Sequence, residues 1–281
     1  MDKLGYLGPN GTFSQKAANI WSDNRYELIS FPSNTAVLKA LENGQVDQVI
    51  VAIENVSGGG VIEVEDRLIE DAKNGRHFQI TSELLLPIRH MLLAKKGAKV
   101  SKIKRVYSHS QAFAQCGLFI FEYNLEIIEV SSTAKAAEMI AESSDLSIGA
   151  IASIDAAEKY GLEVISENIG DRKDNATKFI VLGGLLSLPS GNDKTTIFLA
   201  LRNNPGALHG ALGGFHGRNI NLSKISSRPL NDNGKPWEYI FLIDIDGHSS
   251  EEPLKGALGA LKDFSERFWI IGSYPTTLIG G

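Results

Sequence analysis

Four short segments of this chain place hydroxyls, amides and a cation where an apolar run gives way to a helix-like one, or the reverse. The first, Gly8-Pro-Asn-Gly-Thr-Phe-Ser14, is a glycine-rich turn. Free N–H groups at a helix start, with the Thr12 and Ser14 hydroxyls, suit a carboxylate or a phosphate. It lacks the Gly-Lys-Ser/Thr ending of a nucleotide-binding loop and the dinucleotide fingerprint, and a plain turn with an N-cap explains it equally well. The second, Ile53-Glu-Asn-Val-Ser-Gly-Gly-Gly-Val61, has three consecutive glycines that let backbone amides approach a ligand, with Asn55 and Ser57 beside them. A flexible connection accounts for the same glycines.

The third segment, Tyr107-Ser-His-Ser-Gln-Ala-Phe113, sets His109 and Gln111 in another strand-to-helix turn. His109 could act as an acid or base. No carboxylate partner stands near it in sequence, so a hydrogen-bonding or capping role is the expectation. The fourth, Asn175-Ala-Thr-Lys-Phe-Ile-Val-Leu182, puts Thr177 and Lys178 just before a strand. Lys178 could pair with an anion and Thr177 could donate to a leaving oxygen, although periodicity alone reads a strand start with a surface lysine. No His/Cys/carboxylate set has metal-ligand spacing, and the acids at Glu63, Glu65 and Asp66 and at Glu251 and Glu252 fit solvated helix faces. Cys116 is the one cysteine, so no disulfide can form within the chain, and its Ala/Phe/Leu-rich surroundings read as core.

These segments need a frame, and the pattern supplies one. Strand-like runs at 4–7, 28–31, 49–53, 79–86, 105–108, 127–130, 147–151 and 178–182 alternate with helix-like stretches at 14–21, 35–43, 62–74, 112–122, 133–142 and 154–160. That alternation predicts an α/β fold with a largely parallel sheet. The run from Ser33 to Asn55 is echoed from Ser131 to Ser153, with Thr35/Thr133, Asp47/Asp145, Ala52/Ala150 and Ile53/Ile151 in one register. A capped helix, a polar turn and an apolar strand recur in each, predicting two similar lobes with a cleft between them.

Pro189-Ser-Gly-Asn-Asp-Lys194 reads as a linker. Beyond it come a strand at 195–201, a helix at 206–215, strands at 221–227 and 238–245, a helix at 251–268 and a strand at 269–273. That βαββαβ order reads as a ferredoxin-like domain. The expected domains are therefore 1–188 and 194–276.

The composition is that of a globular chain, 43% apolar and 22% charged over 281 residues. A net charge of −5 argues against nucleic-acid binding. No apolar stretch nears the ~18–20 residues that span a bilayer, and the N-terminus lacks a signal-peptide core, so a cytoplasmic protein without membrane contact is expected. Read from residues alone, the chain is a cofactor-free cleft enzyme, or a binding protein, for a small anion.

Taken in order, the four segments resemble the prephenate dehydratase family. Its patterns are a GPxGTFS-type turn, an ENSxxGxV-type turn, a Pro-Ile-x-His segment (Pro87-Ile-Arg-His90), a HxQxxxQC segment (His109 to Cys116) and a Thr-Arg-Phe motif (Thr177-Lys178-Phe179). The resemblance implies a periplasmic-binding-protein-like catalytic domain and decarboxylative loss of hydroxide from prephenate, giving phenylpyruvate and carbon dioxide. It implies Thr177 as the essential group, and substrate contacts from Thr12, Ser14, Asn55, Ser57, His109, Gln111, Lys178 and Phe179. No cofactor or metal is implied. The chain departs from the pattern at Ala52, where proline is usual, at Val56, where a hydroxyl is usual, and at Lys178, where arginine would fork onto a carboxylate.

The tail resembles an ACT domain, with Pro205-Gly-Ala-Leu-His209 and Ser226-Ser-Arg-Pro229 standing for its two effector motifs. This implies phenylalanine bound near Asn203, Pro205, Gly206, Ala207, Leu208, Ser227, Arg228 and Pro229 at a subunit interface, in a homodimer or homotetramer. Ser226 replaces the motif's glutamate, which touches effector identity. Only three residues precede the first strand-like run, so the resemblance implies an enzyme without a chorismate mutase segment. The alternatives are a non-aromatising prephenate decarboxylase and a non-catalytic sensor of a small anion or amino acid.

Overall fold

The computed structural model describes residues 1–75, 78–202, 204–230 and 238–278. Contacts divide the chain into two compact units, residues 1–61 with 85–179, and residues 62–84 with 180–278. The first unit opens with β1 (Asp2–Leu7), α1 (Phe13–Ser22), β2 (Tyr26–Phe31), α2 (Asn34–Glu42), β3 (Gln48–Asn55) and the two-residue β4 (Gly59–Gly60). The chain then makes α3 (Ile62–Lys73) and the start of β5 (Ile80–Pro87), and returns through β6 (Met91–Ala94). Next come β7 (Arg105–Ser108), α4 (Ser110–Ala114), α5 (Gly117–Glu122), β8 (Glu126–Glu129), α6 (Thr133–Glu142), β9 (Ile148–Ala152), α7 (Ile154–Tyr160) and β10 (Glu163–Ser166).

The sequence echo is realised as topology. In one lobe β1 lies between β2 and β3, parallel to both; in the other β7 lies between β8 and β9, again parallel to both. Ser33 caps α2 by accepting from Ala36 N–H, and Ser132 caps α6 by accepting from Lys135 N–H. Each cap satisfies an orphan donor of the first turn. The helix that follows turns small apolar residues inward, as with Ala134, Ala136, Ala137 and Ile140 of α6, which are wholly buried beneath β9 residues Ala150 and Ala152. The second sheet gains two antiparallel strands, in the order β10-β6-β9-β7-β8. Neither β6 nor β10 is expected from the pattern; both are four-residue strands, too short to show a period.

The stretch read as one helix over 112–122 is two. α4 stops with Gln115 as its C-cap, and α5 starts after Cys116. Gln115 C=O accepts from Asp171 N–H at 2.8 Å instead of continuing the helical ladder.

Strand β11 (Ala176–Gly183) begins in the first unit, beside β3, and ends in the second. The second unit continues with β12 (Asp193–Leu201), α8 (Ala207–His216), β13 (Leu222–Pro229), β14 (Tyr239–Asp246), α9 (Leu254–Leu261) and β15 (Ser265–Leu278). The order β13-β14-β12-β15 with antiparallel neighbours is ferredoxin-like, as the sequence predicts. The helix expected over 251–268 is shorter, because β15 must run from Ser265 to pair the whole of β12.

One face of this sheet packs on α8 and α9 through Ile197, Leu199, Phe215, Ile243, Ile245 and Leu258. Helix α3 is held to the unit by ion pairs from β13. Lys224 meets Glu65 at 3.2 Å and Arg228 forks onto Asp66 at 2.9 Å. Lys194 on β12 likewise meets both oxygens of Glu83 on β5, at 2.7 and 2.8 Å. Residues 62–84 thus belong by contact to the C-terminal unit, which no linker in the sequence announces.

Candidate active site

The end of β3 and the start of β11 are neighbours, and their polar side chains form one cluster within the first unit. Asn55, 8% exposed, is its centre. Its oxygen accepts from the backbone N–H groups of Ser57 and Gly58, at 2.9 and 2.8 Å. Two backbone donors settle which end of the amide is oxygen. Its nitrogen therefore donates, toward Asn175 Oδ1 at 3.1 Å, Ala176 C=O at 3.1 Å and Thr177 Oγ1 at 2.9 Å. Ser57 Oγ donates to Asn175 Oδ1 at 3.1 Å.

The other lobe enters through Gln115. Its Nε2 donates to Asn55 Oδ1 at 3.2 Å, and its Oε1 accepts from Asn175 Nδ2 at 3.0 Å. Oε1 also lies 2.8 Å from His90 Nε2. The break between α4 and α5 is what frees Gln115 for this work. A cavity of about 250 Å³ opens beside the cluster, lined by Ser57, His90, Gln115, Asp171, Arg172 and Asn175 among others.

The result for Thr177 is specific. Its oxygen receives a hydrogen bond from Asn55, and among the described residues its own O–H has no protein acceptor. A hydroxyl that accepts on one side and donates on the other is a polarised donor. The arrangement can therefore hold an oxygen on which negative charge grows.

The remaining expected residues fall in different places. The Thr12 hydroxyl is occupied as the N-cap of α1, accepting from Gln15 N–H at 3.3 Å and donating to Pro9 C=O at 2.9 Å. Ser14 sits in the first turn of that helix. Between them Phe13 packs edge-on against His90, centroids 5.7 Å apart. His109 is the N-cap of α4, its Nδ1 accepting from Gln111 N–H at 3.2 Å. Gln111 reaches Gly58, where an added Cβ would meet its Nε2 at 2.6 Å; that close approach is what the glycine allows.

Lys178 is not brought to Thr177. Strand alternation turns it to the opposite face of β11, where it pairs with Glu54 at 3.2 Å. Phe179, 1% exposed, is core. In the second unit Gly206, with φ +82°, precedes α8, and Pro205 beside it is exposed. Ala207 and Leu208 open the helix, half-buried. Ser227 and Pro229 are exposed on β13 and Arg228 is half-buried, while Asn203 lies outside the described residues. Three residues of the cluster, His90, Gln115 and Asn175, are absent from the predicted site. They stand in the quoted motifs, but neither an amide nor a lone imidazole carries a periodic signal that marks it as functional.

Burial lowers the His90 imidazole below the ordinary histidine value, with the Gln115 hydrogen bond acting in the opposite direction. Burial, with Asp171 nearby, pushes the Cys116 thiol up to about 12, so it is inert core, as expected. Among the described residues no group of three His, Cys, Asp or Glu side chains could hold a metal ion, and no helix is long and apolar enough to cross a membrane.

The family model for prephenate dehydratase matches residues 4–184. The chain belongs to the prephenate dehydratase family. It is 36% identical over 280 residues to a bifunctional chorismate mutase/prephenate dehydratase of Aquifex aeolicus, covering 99% of this chain and 74% of that protein. Prephenate dehydratase from Arthrobacter aurescens, solved in complex with L-Phe, has a TM-score of 0.84 at 35% identity, over 97% of this chain and 89% of that one. A protein described as a novel type of quorum-quenching acylase has the same TM-score at 29% identity, over 98% of both chains. Membership in the prephenate dehydratase family makes this an enzyme, a carbon–oxygen lyase of phenylalanine biosynthesis. Thr177, whose hydroxyl donor is unused among the described residues, lies within the residues that the family model matches.

Proposed function

We propose that Thr177 assists departure of the ring hydroxyl of prephenate, and that the amide cluster around it holds the reacting geometry. The observation that carries this is the one-way hydrogen bond from Asn55 Nδ2 to Thr177 Oγ1. In the reaction the bond from the ring to its carboxylate breaks and carbon dioxide leaves. The freed electron pair enters the ring, and the C–O bond to the hydroxyl breaks. The departing hydroxide takes up a proton to become water. Aromaticity drives the step, so the protein need only orient the dianion and stabilise charge on the leaving oxygen. Thr177 is too weak an acid to protonate that oxygen outright, and a hydrogen bond in a water-poor cleft is the role its chemistry allows.

The N-terminus of α1, with Ser14 in its first turn, is the natural seat for one substrate carboxylate. Lys178 contributes through Glu54 rather than by direct contact. Gln111 and Ser57, both exposed, border the entry from opposite lobes. Incubation with prephenate, reading phenylpyruvate by its alkaline absorbance, tests the assignment; unchanged prephenate would overturn it.

The C-terminal unit acts as a phenylalanine-responsive ACT domain in a homo-oligomeric cytoplasmic enzyme. The ferredoxin-like order and the exposed Ser227 and Pro229 on edge strand β13 support this reading. So does the L-Phe complex of the Arthrobacter relative. Turnover with and without phenylalanine, beside light scattering, tests regulation and assembly together.

A further inference from the structure

His90 stands behind the reacting groups. The residue is 4% exposed, with Phe13 set edge-on to its ring. Nε2 lies 2.8 Å from Gln115 Oε1, while Nδ1 is buried with no hydrogen-bond partner among the described residues. The position of the ring proton follows from the backbone. Ser57 and Gly58 N–H groups point at Asn55 Oδ1, so Gln115 must present Nε2 to that oxygen and Oε1 to the far side. Oε1 can only accept, so His90 carries its proton on Nε2 and leaves Nδ1 bare. A second proton would place an N–H at Nδ1 with no acceptor among the described residues to meet it.

We infer that His90 is a positioning residue for this reaction: its Nε2–H, beside Asn175 Nδ2, holds Gln115 Oε1 and so keeps Gln115 Nε2 as a third donor on Asn55 Oδ1, while its ring packs against Phe13 between Thr12 and Ser14. The inference rests on the reading of Thr177 given above. It joins both lobes to one ring. Without the His90 donor, Gln115 Oε1 keeps only Asn175 Nδ2, and the hold of Gln115 on Asn55, the residue that donates to Thr177, loosens. The groups facing His90 are Phe13 from α1 and Gln115 from the end of α4. Asp171 and Arg172 line the same cavity, and Asp171 Oδ1 there accepts from Leu118 N–H.

The test compares His90→Phe, which keeps a ring against Phe13 without a donor, with His90→Gln, which keeps a donor without the ring. The Phe variant should lose kcat on the order of 10- to 100-fold, with KM for prephenate held within about threefold. The Gln variant should recover about tenfold of that loss. It should also lose the acid limb that protonation of His90 imposes on the wild-type kcat profile. Wild-type kcat in the Phe variant, or folded Gln and Phe variants equally impaired, overturns the inference. Should the Phe variant not fold, the Gln variant decides alone: an acid limb identical to wild type overturns it. A wild-type protein that makes no phenylpyruvate overturns the underlying reading instead, so the two failures are distinct.

Discussion

Asn55 Nδ2 lies 2.9 Å from Thr177 Oγ1, and the hydrogen bond between them runs one way because Asn55 Oδ1 is already held by two backbone N–H groups. The threonine hydroxyl is thereby left with its proton to give. Thr177→Ala should lower kcat by about 10²–10³ with little change in KM, and Thr177→Ser should retain most turnover. Asn55→Asp keeps the acceptor for Ser57 and Gly58 but loses the donor to Thr177, and should lower kcat while the protein still folds. Phenylpyruvate formation under saturating prephenate measures both. Near-normal turnover in Thr177→Ala would remove the assignment.

His90 makes stability depend on pH. Its folded-state value lies below the ordinary value of about 6.5, so between the two the unfolded chain binds more protons than the folded one. Stability should be full above that ordinary value and fall as the solution is acidified below it. The slope is at most about 1.4 kcal/mol per pH unit from this group. Urea midpoints at neutral and mildly acidic pH check this: the wild type should lose more than His90→Gln over the same interval.

The pair Lys194–Glu83 is buried, with side chains only 9% and 11% exposed. Removing one partner strands the other charge. Lys194→Met should destabilise the protein by roughly 3–5 kcal/mol, and the double substitution Lys194→Met with Glu83→Leu should restore much of it. Denaturant melts of the single and double variants provide the comparison. A single variant as stable as wild type would show that the carboxylate finds water.

Cys116 is wholly buried, and its thiol is pushed up to about 12. A chromogenic disulfide reagent should react with it slowly in the folded enzyme and at once in denaturant. Fast labelling of the native protein, without loss of structure, would contradict its place in the core.

Much of this protein was determined by its sequence alone. The alternation of strands and helices follows from local propensity and periodicity, and so does the doubling of the lobe, because a cap, an amphipathic helix and an apolar strand each leave a mark within a few residues. The βαββαβ tail is legible for the same reason. The motifs around Asn55, His109 and Thr177 likewise stand in the chain as written.

Only the tertiary structure decided how those motifs work. Asn55 and Thr177 are 122 residues apart, and pairing of β3 with β11 brings them together. Strand alternation sends Lys178 to Glu54, away from the hydroxyl beside it in sequence. The ion pairs of Lys224 and Arg228 draw α3 to the C-terminal unit, across what reads as the catalytic segment. Hydrogen-bond direction is the last of these decisions: an amide has no orientation until its neighbours supply donors and acceptors, and while the donors to Asn55 Oδ1 lie two and three residues along the same turn, the acceptors of its nitrogen arrive on and beside a distant strand.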